Sequence, residues 1–328
     1  MLRLSLSSLR PLAGPAVGRA ARSNVRNFSN FRPQNVLQTL EKQRVSLQSL
    51  SKFKFPRYST DIPIIEPAKP ISWQRIALIA GGVAGTVVLL DGALNRETRE
   101  GLSQAERSLL NSSFAYTGAG LALTAAAARA MFRSGVAYRI MAANPWVVIG
   151  ASLVGGIGSM LGVFYTPPEN TLQKHFFWMT FNAFQAATLS PLFFFSPAIL
   201  ARAGLYTLGV VGALSYVGAT ATNDKYLMLG GPLLAGVSVV ALSALAPLAL
   251  PATAVRALAV TESIYLYGGL AVFGGFVLYD TQKILMHARM AEQGLMKRDP
   301  INEAIGLQLD MINIFIRLVQ ILSMNNRK

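Results

Sequence analysis

Residues 303–323 read EAIGLQLDMINIFIRLVQILS. Glu303, Gly306, Asp310, Asn313, Arg317 and Gln320 follow one another at steps of three and four, which puts them on one stripe of an α-helix. Every other face is Ile, Leu, Met, Val or Phe, with Gln308 the one polar residue off the stripe. About 20 mostly apolar residues suffice to cross a bilayer. An ionisable side chain within such a span is costly, and it faces a bundle interior or a cavity rather than lipid. This segment therefore predicts an inward-facing helix of an all-α, polytopic membrane bundle.

The preceding apolar segment ends in Leu278-Tyr279-Asp280-Thr281-Gln282. Consecutive spans joined by a short loop run antiparallel, so Asp280 and Asp310 fall in the same half of the membrane. Two carboxylates brought together in a low dielectric do not both ionise easily, and they share a proton. Ca²⁺ replaces that proton readily, because carboxylate oxygens are its preferred ligands. Competition between H⁺ and Ca²⁺ for Asp280 and Asp310 is thus the chemistry to look for. The bland alternatives are an interfacial Asp280 beside Lys283, and an Asp310–Arg317 ion pair with no transport role. Asn182 and Gln185, three apart in Phe181-Asn182-Ala183-Phe184-Gln185, fit either a pathway lining or hydrogen bonding between helices. His175 and His287 lie near span ends and read as ordinary.

Further apolar stretches extend back to Arg75, at 76–94, 113–132, 145–165, 176–195, 198–219, 226–247 and 261–281. With 303–323 they make about eight spans and leave no room for a soluble domain. Trp73, Trp146 and Trp178 each fall near the start of a span, where an indole prefers the headgroup level. Gly158 with Gly162, Gly268-Gly269 and Gly274-Gly275 predict close helix packing. Pro191 and Pro232 lie inside spans and predict kinks.

Charge divides the chain differently. Of 328 residues only 14% are charged, yet the net charge is +15, and 13 of the 30 basic residues precede residue 76. No acid occurs before Glu41, whereas Arg3, Arg10, Arg19, Arg22, Arg26 and Arg32 do, among many Ser. An Arg-rich, Ser-rich, acid-poor amphipathic head is the composition of a mitochondrial transit peptide. Pro11, Gly14, Pro15 and Arg19 interrupt the apolar core that a secretory signal needs. Residues 1–58 are expected to be this leader, cleaved after Phe28 or Tyr58, and 59–74 a linker. Clustering of the charge in a head excludes a nucleic-acid-binding face. The absence of Cys excludes disulfides, thiolate metal sites and Cys nucleophiles. An intramembrane serine protease needs Gly-x-Ser-Gly and a His within a later span; Ser152 is followed by Leu153 and neither His is mid-span. We expect no enzyme and no cofactor.

The signatures Leu278–Gln282, Asp299-Pro300-Ile301-Asn302 and Leu309-Asp310-Met311-Ile312-Asn313-Ile314-Phe315, with Phe181–Gln185 and Leu189-Ser190-Pro191-Leu192, resemble those of the Bax inhibitor-1 family, and the basic head its mitochondrial member. The resemblance implies a seven-helix core over residues 111–328 with a central helix, preceded by an additional helix and loop at 75–110. It also implies a pH-dependent Ca²⁺ channel or Ca²⁺/H⁺ antiporter of the mitochondrial inner membrane, with Asp280 and Asp310 as the ion- and proton-binding pair and Asn313, Arg317, Asn182 and Gln185 as pathway or gating candidates. The expected partners are membrane lipid, Ca²⁺, H⁺ and inner-membrane proteins. The alternative is a non-transporting protein that supports cristae organisation and restrains apoptosis. Bacterial relatives latch the aspartate pair with an Arg at the end of the core's second helix. The matching stretch Phe164–Glu169 has none, so either another cation such as Arg317 substitutes or this protein gates differently.

Overall fold

In the structure, a computed structural model, residues 101–325 are described apart from 223 and 252, together with scattered positions between 85 and 99. The leader, the linker, Trp73 and most of the first expected span lie outside them.

Local signals set the helix limits. Ser103 and Glu106 form a reciprocal capping box that starts α1, Gln104–Arg133. Gly135, at φ 79°, turns the chain into the short α2, Val136–Ala142. Asn144 caps α3, Pro145–Tyr165, with Pro145 at its first position. After α4, Thr171–Leu189, Ser190-Pro191 diverts the chain into a 3₁₀ turn over Ser190–Phe194. Ser196 and Pro197 open α5, Pro197–Thr220, in the same cap-then-proline manner. Then come α6, Gly230–Ala249, and α7, Val255–Ser263. A π-helical turn over Ile264–Gly268 joins α7 without a break to α8, Gly269–Glu292. Asp299 accepts from the Asn302 amide at 3.2 Å where α9, Pro300–Asn325, begins.

The fold is an all-helical membrane bundle with α9 at its centre: α9 packs against α8, α1, α5 and α3. Its apolar face meets Val211, Val240, Phe273 and Val277 through Met311 and Ile314. Outward faces carry exposed Leu, Val and Ile, such as Leu153, Val154 and Ile157 on α3, as hydrocarbon surroundings require. Five helical segments among the described residues are long and apolar enough to cross a membrane: Trp146–Tyr165, Pro197–Thr220, Lys225–Ala249, Val255–Glu292 and Pro300–Asn325.

Several expectations change. The segments expected at 113–132 and 176–195 are helical, but as α1 and α4 they are more polar than those five. The span expected at 261–281 belongs to a helix of 38 residues. Pro191 breaks its helix as expected, whereas Pro232 falls in the first turn of α6, where its missing N–H costs nothing and no kink is required. Trp146 is exposed as a headgroup-level ring should be, but Trp178 is 8% exposed. It packs with Phe181, Ile301 and Ile305 and meets Tyr116 edge-on, so it is core.

Candidate functional site

α8 and α9 run antiparallel, with His287 opposite Glu303, Asp280 opposite Gly306 and Gly269 opposite Arg317. At Gly306 the space that a side chain would take is filled by the Asp280 carboxylate, so only glycine lets Asp280 reach the backbone of α9. One turn further along α9 stands Asp310, 5% exposed, whose Oδ2 is buried with no hydrogen-bond partner. Asp280 meets α9 at Gly306 and Asp310 stands four residues on, so both carboxylates belong to the same turn of that helix. Lys283 stands one turn and His287 two turns along α8 from Asp280, and Glu303 meets His287 from α9. The structure thus brings together the two aspartates that the sequence singled out.

Among the described residues no three His, Asp or Glu side chains converge into a metal cage. A Ca²⁺ ion prefers six to eight oxygens, so Asp280 and Asp310 supply a partial set that water or backbone oxygens must complete. The unpartnered Oδ2 of Asp310 fits that role: a buried acceptor without a donor is satisfied by a proton or a cation.

Access comes from one side. A cleft of about 450 Å³ is bordered by Lys283, His287, Asn302 and Glu303 of α8 and α9 and by the Tyr165–Pro168 turn after α3. The His287 Nδ1 and Glu303 Oε1 atoms, 2.6 Å apart, tie the two helices beside it. Lys283 lies one turn from Asp280 and Glu303 two turns from Asp310, so the cleft ends about one helical turn from the first carboxylate and two from the second.

Arg317 does not join it. Its Nε donates to the Tyr265 carbonyl at 3.0 Å, and its Nη1 to the carbonyl and Oδ1 of Asn313 at 2.8 and 3.0 Å. The guanidinium also lies over the rings of Tyr265 and Phe273, 4.7 and 4.6 Å from their centroids. The carbonyl that Arg317 takes lies in the π turn, where the regular helical bonding is interrupted, and Gly269 leaves room for its stem. Arg317 stands seven residues along the helix from Asp310, about 10 Å, and is bonded to Asn313 rather than to either aspartate. Both the Asp310–Arg317 ion pair and the substitute latch are overturned.

Asn182 is fully buried. Its Oδ1 accepts from Thr124 Oγ1 at 2.9 Å and from Gln308 Nε2 at 2.8 Å, while its Nδ2 donates to the Trp178 carbonyl at 2.7 Å. It therefore ties α4 to α1 and α9, the interhelical alternative, and Gln308, off the polar stripe, is its partner. Gln185 is half-buried and takes no part in these bonds.

Sequence reasoning missed Lys174 and Glu106. Lys174, fully buried, donates from Nζ to the carbonyls of Val163 and Thr166 at 3.1 and 2.8 Å and to Asp299 Oδ2 at 2.5 Å. A cation does cap the end of α3, but it is held by Asp299 at the start of α9. Glu106 accepts from Arg99 at 3.0 Å and from Arg289 at 2.8 Å, and Arg289 also reaches Asp224. Only the Asp299-Pro300 helix start and the Ser103-x-x-Glu106 spacing hinted at either.

A family profile described as "Inhibitor of apoptosis-promoting Bax1" matches residues 106–327. Growth hormone-inducible transmembrane protein of Rattus norvegicus is 36% identical over 228 residues, covering 69% of this chain and 66% of that relative, just under two thirds of its length. Bax inhibitor 1 of Homo sapiens is 32% identical over 193 residues, 55% of this chain and 75% of the relative, and Bax inhibitor 1 of Bos taurus 31% over 182 residues. No solved structure matches.

Proposed function

Because the chain belongs to the Bax inhibitor-1 family, we propose that this multi-pass membrane protein moves Ca²⁺ across the mitochondrial inner membrane in exchange for protons. Asp280 and Asp310 are the shared site. The observation that carries this reading is the juxtaposition at Gly306: two carboxylates at one buried turn of α9, one of them with an oxygen that no described residue satisfies. With a proton on the pair, the site carries one negative charge and is tolerable in a low dielectric; Ca²⁺ arriving through the cleft displaces that proton and is held by both oxygens. Release on the other side requires reprotonation, and this couples the two ions. The basic leader supports the mitochondrial address.

The test is ⁴⁵Ca²⁺ flux in proteoliposomes with and without a pH gradient. Wild-type protein shows flux that depends on the gradient; Asp310→Asn abolishes that dependence while circular dichroism shows the helical content retained. Unchanged flux in Asp310→Asn sinks the paired-aspartate mechanism. A second reading, a protein that conducts nothing and restrains apoptosis through inner-membrane partners, is favoured by the description of the matched family. Absence of flux from wild-type vesicles selects it.

A further inference from the structure

A second space, of about 340 Å³, lies between α1, α5 and α9, away from the aspartate cleft. It exists because Ala125 and Ala128 on α1 and Gly204 on α5 are small, and because the chain leaves α4 at Leu189 and swings aside in the 3₁₀ turn. Met311 and Ile312, the two residues after Asp310, form its floor. They stand at the middle of α9, Pro300–Asn325, and therefore near the middle of the bilayer.

Two occupants are physically available at that depth, water and hydrocarbon. Thr124 and Thr207 are the polar lining residues, and both hydroxyl protons are committed, to Asn182 Oδ1 at 2.9 Å and to the Ala203 carbonyl at 2.8 Å. A water needs two to four polar partners, and an apolar cavity of about 150 Å³ stays dry and takes up benzene. Left empty, the space forfeits the dispersion contacts of its whole lining. Leu208, a lining residue 62% exposed on the outer side of α5, marks a mouth that opens sideways to lipid rather than to either aqueous face. Among the described residues that line the cavity none is charged, so it holds no headgroup.

We propose that this cavity is a binding site for one acyl chain of a bilayer phospholipid, inserted laterally between α1 and α5 against Met311 and Ile312. The chain fills the void behind the turn that carries Asp310 and so supports α9 on the face that Ile312 and Phe315 share with Gln308, next to the Thr124–Asn182–Gln308 tie. The proposal stands whether or not the protein moves Ca²⁺.

Gly204 gives the test. A Cβ built there meets nothing within 4 Å, so Gly204→Phe puts its ring into open space. Full-length protein in nanodiscs containing phosphatidylcholine with a diazirine on the distal acyl chain is irradiated, and the adducts are mapped by mass spectrometry. Wild-type protein carries adducts on the segments holding Phe193 and Met311–Phe315. Gly204→Phe loses most of them while adducts on the lipid-facing Leu153–Ile157 of α3 persist. Delipidation in detergent lowers the thermal midpoint of wild-type protein, phospholipid restores it, and the filled variant responds to neither step. Should Gly204→Phe fail to fold, the smaller Gly204→Leu is read in the same way. Equal labelling of the cavity segments in wild type and variant overturns the proposal, as does labelling confined to the outer surface. Labelling of the cavity by a diazirine fatty acid but not by the phosphatidylcholine also overturns it, in favour of a free fatty acid site.

Discussion

At Gly306 the missing side chain is replaced by the carboxylate of Asp280, so one methyl group decides whether the aspartates share a site. Gly306→Ala pushes Asp280 off α9 without altering either carboxylate. The expected outcome is gradient-dependent ⁴⁵Ca²⁺ flux reduced at least as far as in Asp280→Asn, with helical content retained; flux equal to wild type removes Gly306 from the site. Lys174 poses a different question, because its ammonium is buried against three oxygens, one of them charged. Removing one partner of a buried ion pair strands the other and costs about 3–5 kcal/mol. Lys174→Met is expected to lower the unfolding midpoint accordingly, and Lys174→Met combined with Asp299→Asn to recover part of the loss. Equal loss in the single and double variants rules out a coupled pair. Asn182→Leu leaves Thr124 and the Gln308 amide without an acceptor, a cost of about 1–3 kcal/mol for each group, measurable in the same melts.

Helices here meet through polar ties that hydropathy does not reveal. Glu106, in the first turn of α1 and ahead of its membrane-spanning part, joins the capping box, Arg99 before it and Arg289 at the end of α8. Burial raises the pKa of its carboxyl, but the Ser103 amide and the two guanidinium groups outweigh burial and hold it below the usual glutamate value. The tie therefore contributes stability that is fully present above the ordinary glutamate pKa and is lost as pH falls through the lowered folded value. Thermal midpoints measured from neutral to acid pH are expected to fall in that window, and Glu106→Gln to flatten that part of the curve while lowering the neutral-pH plateau by about 1.5–3 kcal/mol. An unchanged slope in Glu106→Gln assigns the acid sensitivity elsewhere. The span expected from 113 starts earlier, at the Ser103–Glu106 capping box; that Glu106 also fastens α8 was not legible, because Arg289 lies 183 residues away.

For the whole chain, the division at residue 75 separates a basic head, proposed as a mitochondrial address, from the apolar helical part. Residues 1–58 fused to a soluble fluorescent protein are expected to carry it into mitochondria, and replacement of Arg3, Arg10 and Arg19 by Glu to leave it in the cytosol, because the potential that draws a cationic helix inward repels an anionic one. Cytosolic signal from the unmodified fusion overturns the leader reading. The bundle itself is fixed by apolar length and by the need to satisfy every backbone group within lipid. Those requirements are local, which is why the sequence by itself determined an all-helical membrane protein, the limits of the helices at 145–165, 198–219 and 303–323, and the inward stripe of the last helix bearing Asp310. Only the tertiary structure decided who meets whom across that stripe. Helical periodicity places Arg317 and Asp310 on one face but is silent on what stands opposite, and a carbonyl in the π turn took the arginine away. Gly306 admitted Asp280, Lys174 took the cation position at the end of α3, and Gln308, off the stripe, found Asn182. Such pairings depend on the rotation and depth of each helix against its neighbours, and those are set by packing summed over the whole bundle rather than by any stretch of sequence.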